Sequence, residues 1–283
     1  MTVLEAIQKS ADFLGKKGIE SSRLQAELLL AHVLKMPRMK LYLNFDRVLT
    51  DLETDALREL VKRRATREPL QHIVGSTSFC GYEIAVNRHV LVPRPETELL
   101  AELGWQFLST INHQLSTALD FGTGSGCIAI ALAAKSSNAK ITALDISSDA
   151  LGLAKQNATA NKVSERIEFL QSDGFVALSQ TVQFDLIISN PPYIAAAEIE
   201  TLEPEVRDFD PRGALDGGAD GLDFYRLLAV QAKLFLKPDG KIMLEFGDGQ
   251  ADAIKTIFEN EKWIVEAVKE DYSRRARILI AKI

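Results

Sequence analysis

Along the first 73 residues the apolar positions recur three and four apart. Val3, Ala6, Ile7, Phe13 and Leu14 predict one amphipathic helix. Leu24, Leu28, Ala31 and Leu34 predict a second, which Met36-Pro37 ends, and Leu57, Leu60 and Val61 predict a third over residues 52–66. We read 1–73 as a small helical bundle with no catalytic constellation of its own. The period then shortens to two. Phe79, Tyr82, Ile84, Val86, Val90 and Val92 alternate over residues 74–95, which predicts a β-hairpin linker turning at Asn87-Arg88 and closed by Pro93-Arg94-Pro95.

From residue 96 to 283 short β-prone runs alternate with helical ones. Strands are predicted at 117–121, 140–145, 167–171, 184–189, 241–246, 263–269 and 277–281, with helices at 127–134, 150–161 and 221–236. Such alternation predicts an α/β fold, a doubly wound and mostly parallel seven-stranded sheet covered on both faces. Lys269 and Arg277 are eight positions apart, too close for a helical crossover, so the last two strands are expected to form a terminal antiparallel hairpin.

Composition adds bounds. The 283 residues suit two domains, and the net charge of −6 weighs against a stable nucleic-acid binder. The densest basic run, Lys62-Arg63-Arg64 with Arg67, reads as a solvated helix face. Cys80 and Cys127 are 47 positions apart and form neither a disulfide framework nor a zinc pattern, and His32, His72, His89 and His113 have no ligand spacing, so no metal is assigned. The chain has no signal-like N-terminus and no apolar run of membrane length. A cytoplasmic, soluble protein without a membrane partner is expected, and a monomer.

Candidate chemistry gathers at the predicted strand ends. In "ALDFGTGSGCIAIALA" the first strand of the sheet runs into a helix through Gly122, Thr123, Gly124, Ser125 and Gly126. Glycines there permit positive φ and close approach of a ligand to a helix N-terminus, although a plain tight turn uses the same residues. The spacing G-x-G-x-G differs from the dinucleotide fingerprint G-x-G-x-x-G. The next strand ends in Asp145, 23 residues after Gly122, where a carboxylate can accept both hydroxyls of a ribose. That suits NAD and S-adenosylmethionine equally, and the bland alternative, a helix N-cap, can be supplied by Ser147 or Ser148. Asp173 and Gly174 follow the third strand; Asp173 either reaches an adenine edge or simply makes a turn.

The fourth strand, "FDLIIS", ends in Asn190-Pro191-Pro192-Tyr193. A planar –NH2 group is a poor nucleophile, because its lone pair is delocalised. The Asn190 side-chain carbonyl and the Pro191 backbone carbonyl can accept its two hydrogens, Pro192 stiffens the turn, and Tyr193 offers an aromatic wall. This is catalysis by positioning and electrostatics, with no strong base. A rigid turn capping a strand is the structural alternative.

With these motifs in hand, the chain resembles the S-adenosylmethionine-dependent amino-group methyltransferases, and most closely the peptide chain release factor N5-glutamine methyltransferases. The resemblance spans nearly the whole chain and includes "PRPETELL" at 93–100, "DFGTGSGCIAIALA", "ALDIS", "SNPPYI", "DPRGALDGGADGLDFYR" at 210–226 and "LEFG" at 244–247. It implies a class I methyltransferase fold of Rossmann-like type. Gly122, Thr123, Gly124, Ser125 and Gly126 would surround the methionine part of the donor and Asp145 its ribose, with Asp173, Gly174 and Asn190 also on the donor. Gly174 stands where the family often has a larger residue near the adenine. Asn190, Pro191, Pro192 and Tyr193 would hold the substrate amide, the glutamine of the Gly-Gly-Gln tip of class I release factors, and modification there would modulate translation termination. S-adenosylhomocysteine would be the second product. Residues 1–73 would hold the release factor. Residues 93–98 would lie near the donor, Arg94 and Glu96 reading as a surface ion pair; Glu245 has no assigned role. Arg207, Asp208, Asp210 and Arg212 read as a charged loop, mostly solvated. Rival readings are a ribosomal-protein glutamine methyltransferase, an adenine-N6 nucleic-acid methyltransferase, a nicotinamide oxidoreductase and a non-catalytic binding module.

Overall fold

A computed structural model describes residues 1–111 and 115–283; His113 lies outside the described residues. The chain divides into two compact units: residues 1–76 with 203–209, and residues 77–202 with 210–283.

The first unit is helical: α1 (Val3–Lys16), α2 (Ser22–Val33), α3 (Arg38–Leu41), α4 (Asp51–Ala65), α5 (Leu70–Val74) and, by its place in the chain, α9 (Pro204–Arg207). Thr2 with Glu5 and Thr50 with Glu53 form capping boxes that satisfy the free N–H groups at the starts of α1 and α4. Ala6, Ile7, Leu14, Leu29, Leu30 and Leu57 make its core. The buried face of α2 differs from the expected one. Ala26, Leu29 and Leu30 point inward, whereas Leu24 is 42% exposed. The reason is Glu27, a buried carboxylate that accepts from Arg38 Nη1 at 2.8 Å, Tyr42 Oη at 2.9 Å and Arg23 Nε at 3.2 Å. These partners hold its pKa below the ordinary value, against the desolvation of burial. A fully partnered charge thus sits on a face that periodicity alone assigns to solvent. The basic run is a solvated face only in part: Lys62 and Arg63 are exposed, whereas Arg64 and Arg67 are engaged. Arg64 is buried and bonds Glu205 Oε1 at 2.8 Å, while Arg67 pairs with Glu203 and Glu205, each at 2.8 Å.

The second unit opens on a two-stranded sheet, β1 (Ser76–Phe79) and β2 (Tyr82–Ala85). Its turn is Cys80-Gly81, not Asn87-Arg88. Both central residues have positive φ, +51° and +84°, the geometry whose twist matches a two-residue hairpin. Asn87 instead makes a local turn, its Oδ1 accepting from His89 N, and Val90 and Val92 are buried outside any strand.

The main sheet contains β3 (Ser116–Phe121), β4 (Ala139–Asp145), β5 (Ile167–Gln171), β6 (Phe184–Ser189), β7 (Leu236–Glu245), β8 (Ile264–Glu270) and β9 (Ala276–Lys282), in the order β5-β4-β3-β6-β7-β9-β8. Pairings up to β7 are parallel; β9 runs antiparallel to both its neighbours. This is the seven-stranded sheet with a terminal hairpin that the pattern predicts. The strand expected at 241–246 starts five residues earlier, with a register break opposite β6, and the helix expected at 221–236 is α10 (Asp223–Gln231) continued by a 3-10 turn. Alternate residues of the central strands feed two cores. Ala118, Leu186 and Ile188 face α6 (Pro95–Thr110), α7 (Cys127–Lys135) and α8 (Ser148–Ala160); Leu119, Ile187 and Leu244 face α10 and α11 (Ala251–Asn260).

Asn157, buried on α8, ties the small hairpin to the glycine turn. Its Oδ1 accepts from Ala85 N at 2.8 Å, and its Nδ2 donates to Ala85 O at 3.0 Å and Ser125 O at 2.9 Å. Asn157→Ala leaves these backbone groups unpaired and is expected to cost about 2–3 kcal/mol, read as a lower urea midpoint at unchanged slope.

Candidate active site

The strand order places the carboxyl ends of β3 and β6 side by side at the point where the connections reverse direction, the place where open α/β sheets bind ligands. A cavity of about 260 Å³ opens there. It is lined by residues from the loops after β3, β4, β5 and β6, among them Gly122, Thr123, Gly124, Ser125, Asp145, Asp173, Gly174, Asn190, Pro191 and Pro192. The predicted groups therefore meet in one space, with two exceptions. Gly126 stands behind the turn as the N-cap of α7, where an added Cβ would come within 3.0 Å of Ala154 Cβ. Tyr193 turns its ring against Gly247 and the second core rather than lining the cavity, and its carbonyl accepts from Gln250 Nε2 at 2.9 Å.

The glycine turn is held from below. Asp120, buried at the end of β3, accepts from Thr123 Oγ1 at 2.6 Å and Ala129 N at 3.1 Å through Oδ2; Oδ1 has no partner among the described residues. Desolvation pushes its pKa up to about 7. Gly122 and Gly124 have φ of +73° and +53°, and nothing stands within 4 Å of where their Cβ atoms would be. Asp145 Oδ2 accepts from Gly124 N at 2.8 Å and Oδ1 from Ser147 N at 2.9 Å. Each oxygen keeps a second lone pair. The helix cap is Ser147, whose Oγ accepts from Ala150 N, so Asp145 is not needed there.

On the β6 side the Asn190 amide is anchored through its nitrogen. Nδ2 donates to Thr97 Oγ1 at 3.1 Å, and both side chains favour the charged form of the neighbouring Glu245 carboxyl. With its N–H groups so engaged, the amide keeps its carbonyl oxygen as a free acceptor. Glu245 is buried, and desolvation raises its pKa to about 7. Thr97 falls in the 93–98 stretch expected near the donor but had no role of its own, and Glu245 was unassigned; their places within "PRPETELL" and "LEFG" were the available signal. Arg94 pairs not with Glu96 but with Asp210, at 2.8 Å, a buried carboxylate whose pKa desolvation raises to about 6. Their neighbours Pro93 and Pro211 line the same cavity.

An open cradle above two positive-φ glycines, beside a carboxylate with spare lone pairs, fits the amino-acid and ribose parts of S-adenosylmethionine. Residues 104–203 match the methyltransferase small domain profile. A methyltransferase from Pyrococcus furiosus shares the fold, with a TM-score of 0.53 and 22% identity over 78% of this chain and 98% of that one. Fold and cavity together define a class I methyltransferase that uses S-adenosylmethionine. Residues 5–75 match the PrmC N-terminal domain, and the chain is 43% identical, over 91% of its length and 88% of the relative's, to the release factor glutamine methyltransferase of Geobacter sulfurreducens. The chain belongs to the release factor glutamine methyltransferase family. It is also 36% identical to the bifunctional methyltransferase of Rickettsia felis, spanning 99% of itself and 58% of that longer protein.

Two predictions follow from this geometry. Gly124→Ala combines strain at positive φ, about 1–2 kcal/mol, with a methyl group in the cradle; calorimetry should show at least tenfold weaker S-adenosylhomocysteine binding. The second concerns pH. Asp120 holds its proton to about pH 7 when folded and to about 4 when unfolded, so the folded state binds more protons between these values. Stability therefore falls as pH rises through that window. Asp120→Asn should flatten the decline in melting temperature between pH 5 and 8, with Asp210 and Glu245 supplying the remaining slope.

Proposed function

We propose that this protein transfers the methyl group of S-adenosylmethionine to the side-chain amide nitrogen, N5, of the glutamine in the Gly-Gly-Gln tip of class I peptide chain release factors. The observation that carries the reading is the Asn190 amide, fixed by its nitrogen beside the glycine cradle with its carbonyl free to accept. When bound, S-adenosylmethionine supplies a methyl group already activated on a sulfonium. The chain's own work is then alignment. Gly122 to Ser125 and Asp145 hold the donor, with Asp173 and Gly174 at its far end and Gly126 supporting the turn from behind. The Asn190 carbonyl and the Pro191 backbone carbonyl accept the two amide hydrogens and orient the nitrogen; Pro192 keeps the second acceptor rigid. Tyr193 supports the turn from behind.

Release factor with Gly-Gly-Gln, incubated with the protein and labelled donor, should gain one methyl group on that glutamine by mass spectrometry, and a Gly-Gly-Ala version should gain none. Methylation of both, or of neither, rejects the reading. Asn190→Ala should lower kcat by about 10²–10³, the scale of losing one preorganised polar contact to the reacting group, while S-adenosylhomocysteine affinity changes by less than tenfold.

The N-terminal helices are proposed to hold the release factor. This unit presents Leu43 and Val48 on the segment between α3 and α4, at 85% and 66% exposure, with Met39 on α3 at 66% and Leu52 on α4 at 85%. Large exposed apolar side chains in one short stretch suit a protein partner. Leu43→Ser with Leu52→Ser should raise KM for intact release factor about tenfold and leave KM for a short Gly-Gly-Gln peptide unchanged.

A further inference from the structure

An asparagine that must present its carbonyl to an incoming –NH2 has an isosteric wrong answer. Turned by 180° about its last bond, it offers an NH2 to an NH2, and a donor meets a donor. Thr97 alone does not prevent this. A hydroxyl accepts from an amide N–H as readily as it donates to an amide carbonyl. What distinguishes this site is the next residue inward. Glu245 is 3% exposed at the end of β7, Thr97 is 2% exposed on α6, and both reach the Asn190 amide at the end of β6.

We infer that Glu245, acting through Thr97, is a positioning residue that sets the polarity of the Asn190 amide. An ionised carboxylate only accepts. It can accept a hydrogen bond from the Thr97 hydroxyl, so Thr97 Oγ1 is left to accept from Asn190 Nδ2, and Glu245 also favours the Nδ2 side of the amide over its carbonyl. The carbonyl then has one place to go, outward toward the substrate. A protonated Glu245 becomes a donor, the chain of bonds loses its direction, and the flipped amide becomes competitive. The strand end that carries Glu245 is itself pinned, because Tyr225 Oη donates to the Glu245 backbone carbonyl at 2.8 Å. Glu245 Oε2 has no partner among the described residues, which leaves the charge under-solvated and its proton easily regained. Glu96, Arg277, Tyr193 and Tyr225 are the other titratable or charged groups facing it; Glu96 pushes its pKa up and Arg277 pulls it down.

This inference rests on the proposed methyl transfer to an amide, and its test is separable from that proposal. Methylation of release factor is measured from pH 5.5 to 8.5 for the wild type, Glu245→Gln, Glu96→Gln, Thr97→Val and Thr97→Ser. The wild-type kcat should fall on the acid side with a midpoint near 7, at unchanged KM for the donor. Glu245→Gln should lose that acid limb and run at a plateau lowered roughly tenfold, because its amide can point either way. Glu96→Gln should move the midpoint to lower pH. Thr97→Val should lose roughly tenfold, and Thr97→Ser should restore the wild-type rate and profile. In parallel, the Asn190 side-chain amide resonances, assigned by their loss in Asn190→Ala, are followed by 1H–15N NMR without substrate. They should titrate with the same midpoint in the wild type and cease to do so in Glu245→Gln. An acid limb retained in Glu245→Gln, or Asn190 resonances indifferent to Glu245, overturns the inference. Failure of the wild type to methylate release factor rejects the functional proposal instead, and the NMR titration still decides the polarity of Asn190.

Discussion

The site depends on one topological constraint. Strand β3 lies between β4 and β6, so successive connections leave it in opposite directions across the sheet. Right-handed crossovers then put helices on both faces and leave a crevice above the ends of β3 and β6 that neither crossover fills. The glycine turn, Asp145 and Asn190 owe their meeting to that gap. Its depth comes from close packing beneath: α7 buries every residue from Cys127 to Ala133, so the turn that starts it has a rigid floor.

Three buried carboxylates surround this crevice, Asp120, Asp210 and Glu245. Each has an oxygen without a partner among the described residues, and each holds its proton to a higher pH than an exposed carboxylate does. A protein tuned only for stability would place apolar groups or full ion pairs there. Their shared location beside the cavity points to polarity retained for function. Asp120 orders the glycine turn, Asp210 holds Arg94, and Glu245 stands behind the Asn190 amide.

The mostly parallel seven-stranded sheet and its terminal hairpin were legible because strand-helix alternation is a local signal that topology rules convert into a fold. The meeting of Gly122, Asp145 and Asn190 in one cavity was legible because each lies at a strand end marked by contiguous residues. The rest was set by distant partners. Thr97 lies 93 positions from Asn190, and no periodicity links them. Arg94 was matched with its neighbour Glu96, yet a buried carboxylate, Asp210, outcompeted it. Glu27 disguised the inward face of α2, because a charge with three partners behaves as a core residue. The hairpin turned at Cys80-Gly81 because a glycine there met the φ requirement of a tight turn, which Asn87-Arg88 did not have to supply.

The N-terminal unit is not contiguous in the chain. Its compact body includes residues 203–209, borrowed from the segment that follows Tyr193, and the buried Arg64 guanidinium finds its carboxylate on Glu205 of that loan. A gene fragment ending near residue 76 would encode the five N-terminal helices with a buried cation and no counter-ion, a defect on the order of 3–5 kcal/mol. The helical unit therefore cannot be shuffled between genes as a cassette. Any lineage that exchanges the front end of this protein has to exchange residues 203–209 with it, so two stretches far apart in the chain are inherited as one trait.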